Sequence, residues 1–251
     1  MMLRFLLWLA LAAPAGAALT GPVDLLLVAD DAALQPLVRQ LTASESETCA
    51  AWTLWRGTLA GKSVVLARSE GDPLNAVAAT TLALRRCPPR LVVVFGTARP
   101  HDPALHRGDV VVSERFVAFD GLVSPVAAPG EGSQPLHWTR LDHALMTSGE
   151  KEVYVESFPA DGAAAALALG LPSAGGHPRK GVLGSAGQLN RESDRIAFLH
   201  AEWGTSSEDG DSAFVAGCAA LLGRPVVGFR VIDGSPADAA AFALSFVEAW
   251  K

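Results

Sequence analysis

The sequence predicts an α/β protein whose mixed or mostly parallel sheet is covered by helices on both faces. Three observations lead there. Val23 to Val28, Leu91 to Phe95 and Val226 to Ile232 are short, nearly continuous apolar runs, the pattern of strands buried on both sides. Between them lie stretches with helical spacing, chiefly Asp72 to Arg86, Ser212 to Leu222 and Ala237 to Trp250. A strand pair early in the chain excludes a purely parallel sheet.

Taken in order, Asp30-Asp31 follows the first strand, and an acid there is well placed to cap a helix over Ala32 to Leu41. Ala51 to Trp55 and Ser63 to Ala67 read as strands joined by the turn-rich Arg56 to Lys62. The next helix, Asp72 to Arg86, is acidic at its start, basic at its end and stopped by Pro88-Pro89. Asp109 to Val117 is a long Val-rich strand. Asp120 to Ser148 is rich in Pro and Gly and carries no clear period; a lid or an interface segment fits it. Ala160 to Leu169 and Arg191 to Trp203 read as helices, and Val182-Leu183 as a strand. In open sheets of this kind ligands bind beyond the carboxyl ends of the strands, so the loops after Val28, Phe95, Leu183 and Ile232 are where a site is expected.

The N-terminus reads as an export signal. Arg4 supplies a positive charge, Phe5 to Ala13 is apolar, Pro14 breaks the run, and Ala15-Gly16-Ala17 offers small residues for cleavage near Ala17 or Ala18. The apolar run is about half of the roughly 20 residues that a membrane span requires. We therefore expect a secretory signal peptide over residues 1–18 and a single domain over 19–251. That domain is expected to be periplasmic or secreted, with no membrane segment after cleavage. Removing Arg4 with the leader shifts the formal charge of the 251-residue chain from −6 to −7. An acidic balance with only two adjacent basic pairs, Arg85-Arg86 and Arg179-Lys180, speaks against nucleic-acid binding.

Three cysteines, Cys49, Cys87 and Cys218, leave at least one thiol outside any intramolecular bridge. A Cys49–Cys87 bridge stays open as an alternative. Gly57 to Ser63 is one residue short of a phosphate-binding P-loop and leads into a strand, so a hairpin turn is the better reading. The six histidines form no H-x-x-x-H or H-E-x-x-H pair and are expected mostly on surface or loops; neither metal nor cofactor is expected.

Four segments, in order, resemble the nucleoside phosphorylase/nucleosidase superfamily, and within it the 5′-methylthioadenosine/S-adenosylhomocysteine nucleosidases. Ser69 to Ala76 is similar to the S-G-I-G-K-V-N-A helix entry. Phe95 to Pro100, running on to Gly108-Asp109-Val110-Val111-Val112-Ser113, resembles T-G-x-A-G-G followed by G-D-V-V-V-S. Gly184 to Leu189 resembles G-S-G-D-Q-F. Asp209 to Ala213 stands where E-M-E-G-A begins a helix, and Phe229 to Asp233 where I-R-A-I-S-D ends the last strand.

The resemblance implies a three-layer α/β/α sandwich, a homodimer or higher oligomer, and cleavage of a purine nucleoside's N-glycosidic bond by water or phosphate. Carried over position by position, Gly96 and Thr97 border the ribose or nucleophile, Leu189 and Asn190 border the base, and Gly210 and Asp211 face the sugar. Arg230 orients the site, Asp233 protonates the leaving base, and Arg99 is the candidate phosphate ligand. The chain also departs from the pattern. Ala33 stands where the family has a water-activating glutamate, with Asp30 and Asp31 as substitutes only after re-registering the loop. Gly210 replaces a methionine, which implies a wider pocket. Ile232-Asp233-Gly234 replaces I-S-D: a one-residue deletion makes Asp233 the acid, whereas an ungapped match puts Gly234 there. A catalytically degenerate relative that binds or stores nucleosides, or serves as an interaction protein, is the alternative reading. For Asp211, a helix cap is the competing structural role.

Overall fold

A computed structural model describes residues 19–146, 149 and 151–251. The expected signal peptide and its cleavage site lie outside the described residues. In chain order the elements are β1 (Val23–Ala29), α1 (Asp31–Val38), β2 (Thr42–Cys49), β3 (Trp52–Leu59), β4 (Lys62–Arg68), α2 (Pro73–Arg86), β5 (Pro89–Pro100) and β6 (Val110–Ala118). The short strands β7 (Leu122–Val123), β8 (Thr139–Arg140), β9 (His143–Met146), β10 (Glu152–Val155) and β11 (Phe158–Pro159) follow. The chain ends with α3 (Gly162–Leu169), β12 (Pro178–Ser185), α4 (Ser193–Trp203), β13 (Ser207–Asp209), α5 (Ser212–Leu221), β14 (Val226–Ile232) and α6 (Pro236–Ala249).

Among the described residues, ten strands form one mixed sheet. β1 lies parallel between β4 and β5, and β5 continues parallel to β14. β14 runs antiparallel to β6, β6 parallel to β12, β12 parallel to β13, and β13 returns antiparallel to the end of β5. Those five strands thus close on one another at one side of the sheet, while β4, β3 and β2 extend the other side as an open antiparallel edge.

The two-residue side-chain period of a strand explains why the central runs are apolar throughout. In β1, Leu26 and Val28 belong to one core and Leu25 and Leu27 to the other; in β5, Val92 and Val94 oppose Leu91, Val93 and Phe95. The first core lies under α2 and α5, the second under α1, α3 and α6, giving the α/β/α sandwich. A third, smaller cluster places Leu199 and Trp203 of α4 on Phe119 and Val117. Each fully buried Leu, Val or Phe contributes roughly 1.5–3 kcal/mol of transfer free energy.

The helix starts follow the sequence. Asp30 accepts from the Ala33 amide at 2.8 Å, Asp72 caps α2 with Pro73 at its first turn, and Ser235 and Asp238 form a capping box on α6. The P-loop-like segment is a hairpin: Ala60 (φ 48°) and Gly61 (φ 78°) join β3 to β4, both in the left-handed region that two-residue loops favour. Both strands are longer than their sequence expectation. β2 was not expected at all; its exposed, polar run Thr-Ala-Ser-Glu-Ser-Glu-Thr-Cys lacks an apolar face and suits a charged sheet edge. Within Asp120 to Ser148, β7 pairs with β8 and β9 begins a hairpin with β10. Cys49, Cys87 and Cys218 are all free thiols, so the Cys49–Cys87 bridge is not formed. His101 lies in the loop after β5 and is buried, 5% exposed.

Candidate active site

A cleft of about 580 Å³ opens beyond the carboxyl ends of β5, β12, β13 and β14. The segments after Leu183 and Ile232 supply its walls, as expected, and so does the chain after Phe95, although it continues as strand rather than loop; the loop after Val28 does not, and the entry to α2 after β4 takes that place. β5 runs five residues beyond its expected end because β14 pairs with it through Ala98 and β13 pairs with Arg99 and Pro100. That extension carries Thr97 and Arg99 into the cleft on rigid strand. Of the residues singled out in the sequence, Thr97, Arg99, Leu189, Gly210 and Asp233 line the cleft, together with Gly234. Gly96, Asn190, Asp211 and Arg230 do not.

Arg230 and Asp211 form the floor beneath it. Arg230 is 3% exposed and Asp211 1%. The Arg230 guanidinium donates through Nε to Ser212 Oγ at 2.9 Å, lies 3.2 Å from Asp209 Oδ2, and pairs through Nη2 with Asp211 Oδ1. The other Asp211 oxygen accepts from the Ser69 hydroxyl at 2.5 Å. Asp211, expected from the resemblance to face a sugar, does not line the cleft: its two oxygens are engaged by Ser69 and Arg230. Its alternative role is corrected too, because it makes no side-chain cap on α5. Asp209 does that work, accepting from the Ser212 amide at 2.8 Å, the Asp211 amide at 2.9 Å and the Ser185 hydroxyl at 2.8 Å. Two carboxylates around one buried guanidinium leave a residual negative charge. Burial first, then repulsion from Asp209, raises the Asp211 carboxyl above its ordinary value against the pull of Arg230. Burial works to lower the Arg230 pKa, but Asp209 and Asp211 outweigh it and hold the group charged.

Two glycines set the packing here. A Cβ on Gly96, the cross-strand neighbour of Arg230, would collide with the guanidinium. A Cβ on Gly210 would collide with the Gly71 carbonyl. Gly210 thus lets two cleft segments touch through their backbones.

Among the described residues, four carboxylates line the cleft: Asp72, Glu208, Asp209 and Asp233. Asp72 accepts from the Leu74 and Asn75 amides, and Asp209 is occupied as described. Glu208, which the sequence reading passed over, is buried and accepts from Asn190 and His101. Burial works to raise its pKa, but the hydrogen bonds from His101 and Asn190 hold it below the usual glutamate range. Asp233 alone among these four makes no side-chain hydrogen bond or ion pair among the described residues. It is exposed, its φ of 45° turns the chain sharply at the end of β14, and its amide donates to the Ala98 carbonyl at 3.0 Å. The carboxylates beyond the first strand are committed elsewhere: Asp30 caps α1, and Asp31 accepts from Gln35 and lies 3.7 Å from Arg68. Among the described residues no cluster of three His, Cys, Asp or Glu side chains is placed to hold a metal.

The sequence profile of the Phosphorylase superfamily matches residues 25–250, nearly the whole described chain. The chain belongs to that superfamily. Relatives of this superfamily chain include the 5′-methylthioadenosine/S-adenosylhomocysteine nucleosidase of Marinomonas sp. (strain MWYL1), 38% identical over 80 residues. The nucleosidase of the same name from Anoxybacillus flavithermus is 36% identical over 85 residues. These matches cover 32% and 34% of the chain, and the chain spans only 35% and 37% of the lengths of those relatives.

The fold likeness runs much further. The Neisseria meningitidis nucleosidase in complex with methylthio-immucillin-A superposes with a TM-score of 0.70 at 20% identity, covering 92% of this chain and 98% of that one. The futalosine hydrolase of Helicobacter pylori gives 0.68 at 18% identity, over 92% and 98%. The phosphorylase/nucleosidase fold expected from the motifs is therefore the fold of this chain.

Proposed function

We propose that this superfamily member cleaves the N-glycosidic bond of a purine nucleoside of the methylthioadenosine, adenosylhomocysteine or adenosine type. One observation carries the reading: Asp233, the one cleft carboxylate without a side-chain hydrogen bond or ion pair among the described residues, stands across paired strands from Thr97 and Arg99, whose side chains are likewise unpaired among those residues. Breaking the bond leaves negative charge on the base and positive charge on the ribosyl group. Asp233 delivers a proton to the departing base, a step that general acids accelerate by about 10²–10⁴-fold. The Thr97 hydroxyl is placed to bond the sugar or the nucleophile.

The floor beneath, Arg230 with Asp209 and Asp211, holds β14, β13 and the start of α5 in fixed register, so that the cleft walls need no reorganisation during the reaction. Its residual negative charge also favours a cationic sugar above it. Leu189 offers an apolar surface to the base, whereas Asn190 serves from behind the rim. Arg99 is the one cation lining the cleft among the described residues, and we assign it to phosphate if phosphate is the nucleophile. With Asp30 and Asp31 spent structurally, water as nucleophile requires activation from within the cleft itself.

Residues 1–18 direct the chain out of the cytoplasm in this reading, supported by the charged start, apolar run and small-residue exit. N-terminal sequencing of the protein recovered from a secreting host tests that part. For the activity, the test is purine release from a nucleoside panel with and without phosphate. Phosphate-dependent release makes the protein a phosphorylase, phosphate-independent release a hydrolase. No release from the folded protein moves it to the nucleoside-binding or storage alternative.

A further inference from the structure

Glu208 lies at the cleft wall, yet its side chain is 2% exposed and its carboxylate does not present itself to a ligand. Its oxygens are consumed from behind. Oε1 accepts from the Asn190 amide at 2.9 Å, and Oε2 from Asn190 Nδ2 at 2.5 Å. His101 Nε2 donates to Oε2 at 3.2 Å, and Nδ1 of the same ring meets the Thr205 hydroxyl at 2.8 Å. The His101 amide is fixed in turn by the Ser206 carbonyl at 2.9 Å. A buried carboxylate is costly unless its lone pairs are satisfied, and bonds to a charged acceptor are among the strong ones. Here two of the three donors come from one residue, Asn190.

Asn190 ends the stretch that follows β12. At the other end of that stretch, the Ala186 amide donates to the Asp209 carbonyl at 3.3 Å. Between these ties Gly187, Gln188 and Leu189 are exposed and line the cleft. Both ties go to adjacent residues of β13, which is itself clamped between β12 and β5. The segment is therefore held against the sheet at two points, and the charged one is Glu208.

We infer that Glu208 is a positioning residue that sets the ligand affinity of the cleft, holding Gly187 to Asn190 in place through Asn190 with His101 as its buttress. The segment it fixes is the wall against which a planar base would lie, so the inference rests on the nucleoside reading above. It assigns to Glu208 and His101 a role that no cleft-facing contact would disclose. Removing one charge-assisted hydrogen bond is expected to weaken ligand binding by about tenfold.

The experiment compares wild type, Glu208→Gln and Asn190→Ala. Hydrogen exchange of the 187–190 amides is read alongside KM and kcat for 5′-methylthioadenosine and the affinity for adenine by calorimetry. Both variants are expected to exchange faster in that segment and to raise KM about tenfold, more than kcat falls, with adenine affinity weakened in step. Asn190→Ala, at a half-buried loop position, is the variant expected to keep the fold if Glu208→Gln loses it. Unchanged exchange at 187–190 overturns the tether. Faster exchange with unchanged KM and adenine affinity overturns its role in binding. A folded wild type that takes neither compound, while its variants still loosen the segment, overturns the nucleoside reading and the binding role together.

Discussion

Arg230 Nε lies 3.2 Å from Asp209 Oδ2, with the two side chains 4% and 3% exposed. This contact joins the last sheet strand to the cap of the helix that follows β13. Because Asp209 also accepts from two amides and two hydroxyls, the pair organises the ground on which every cleft wall stands.

Removing one partner of such a buried network leaves an uncompensated charge. Arg230→Met is expected to destabilise the protein by about 3–5 kcal/mol. Urea denaturation at neutral pH, read by tryptophan fluorescence, measures the loss. A change below about 1 kcal/mol would show that the floor is not a structural keystone.

Gly210→Ala places a methyl group on the Gly71 carbonyl. The atom it strikes is a backbone carbonyl rather than the free end of a flexible side chain, so it does not yield cheaply. The variant is expected to lose about 1–3 kcal/mol. Thermal unfolding checks it, and an unchanged midpoint contradicts the close approach.

The acid limb of stability follows from the lowered carboxyl groups. Glu208, and Asp109 with its amide donors His177 and His106, bind protons less readily in the folded state than when unfolded. Burial opposes both shifts and is outweighed by these hydrogen bonds. Each group's contribution is present above its ordinary value, 4.5 for Glu208 and 3.8 for Asp109, and is lost as the pH falls through the lower folded value. Asp211 has the opposite sign: its raised carboxyl makes stability decline as pH rises from 3.8. Glu208→Gln is therefore expected to flatten the stability profile below pH 4.5 relative to wild type. A parallel profile in the variant contradicts that assignment.

Much of the sandwich is legible in the sequence because its central strands are buried on both faces, and runs such as Val23 to Val28 have few other uses. The closure of β5, β14, β6, β12 and β13 is not, since it arises from pairings between distant segments that leave no local period. β2 escapes for the opposite reason: an edge strand with Glu45 and Glu47 looks like a loop. At the site, the strand pattern points to the chain after Phe95 and Ile232, while Thr97, Arg99 and Asp233 themselves are singled out by the family resemblance, and all three line the cleft. The division of labour among acids is not conveyed. Asp211 was the natural candidate for the helix start, yet Asp209 caps it and Asp211 points to Ser69 and Arg230. Glu208 and His101, 107 positions apart, meet only in the fold. The available signal was the cluster Glu208-Asp209-x-Asp211 before an apolar helix, more acid than one cap requires.

The most direct test of the central claim sets Asp233→Asn beside wild type in a purine-release assay, with folding verified and nucleoside binding measured for both. The account predicts that wild type releases the base, while the variant still binds nucleoside but releases it about 10²–10⁴-fold more slowly. Equal release by the two proteins would contradict it, because the proton would then have to come from somewhere other than Asp233, the one cleft carboxylate unpaired among the described residues.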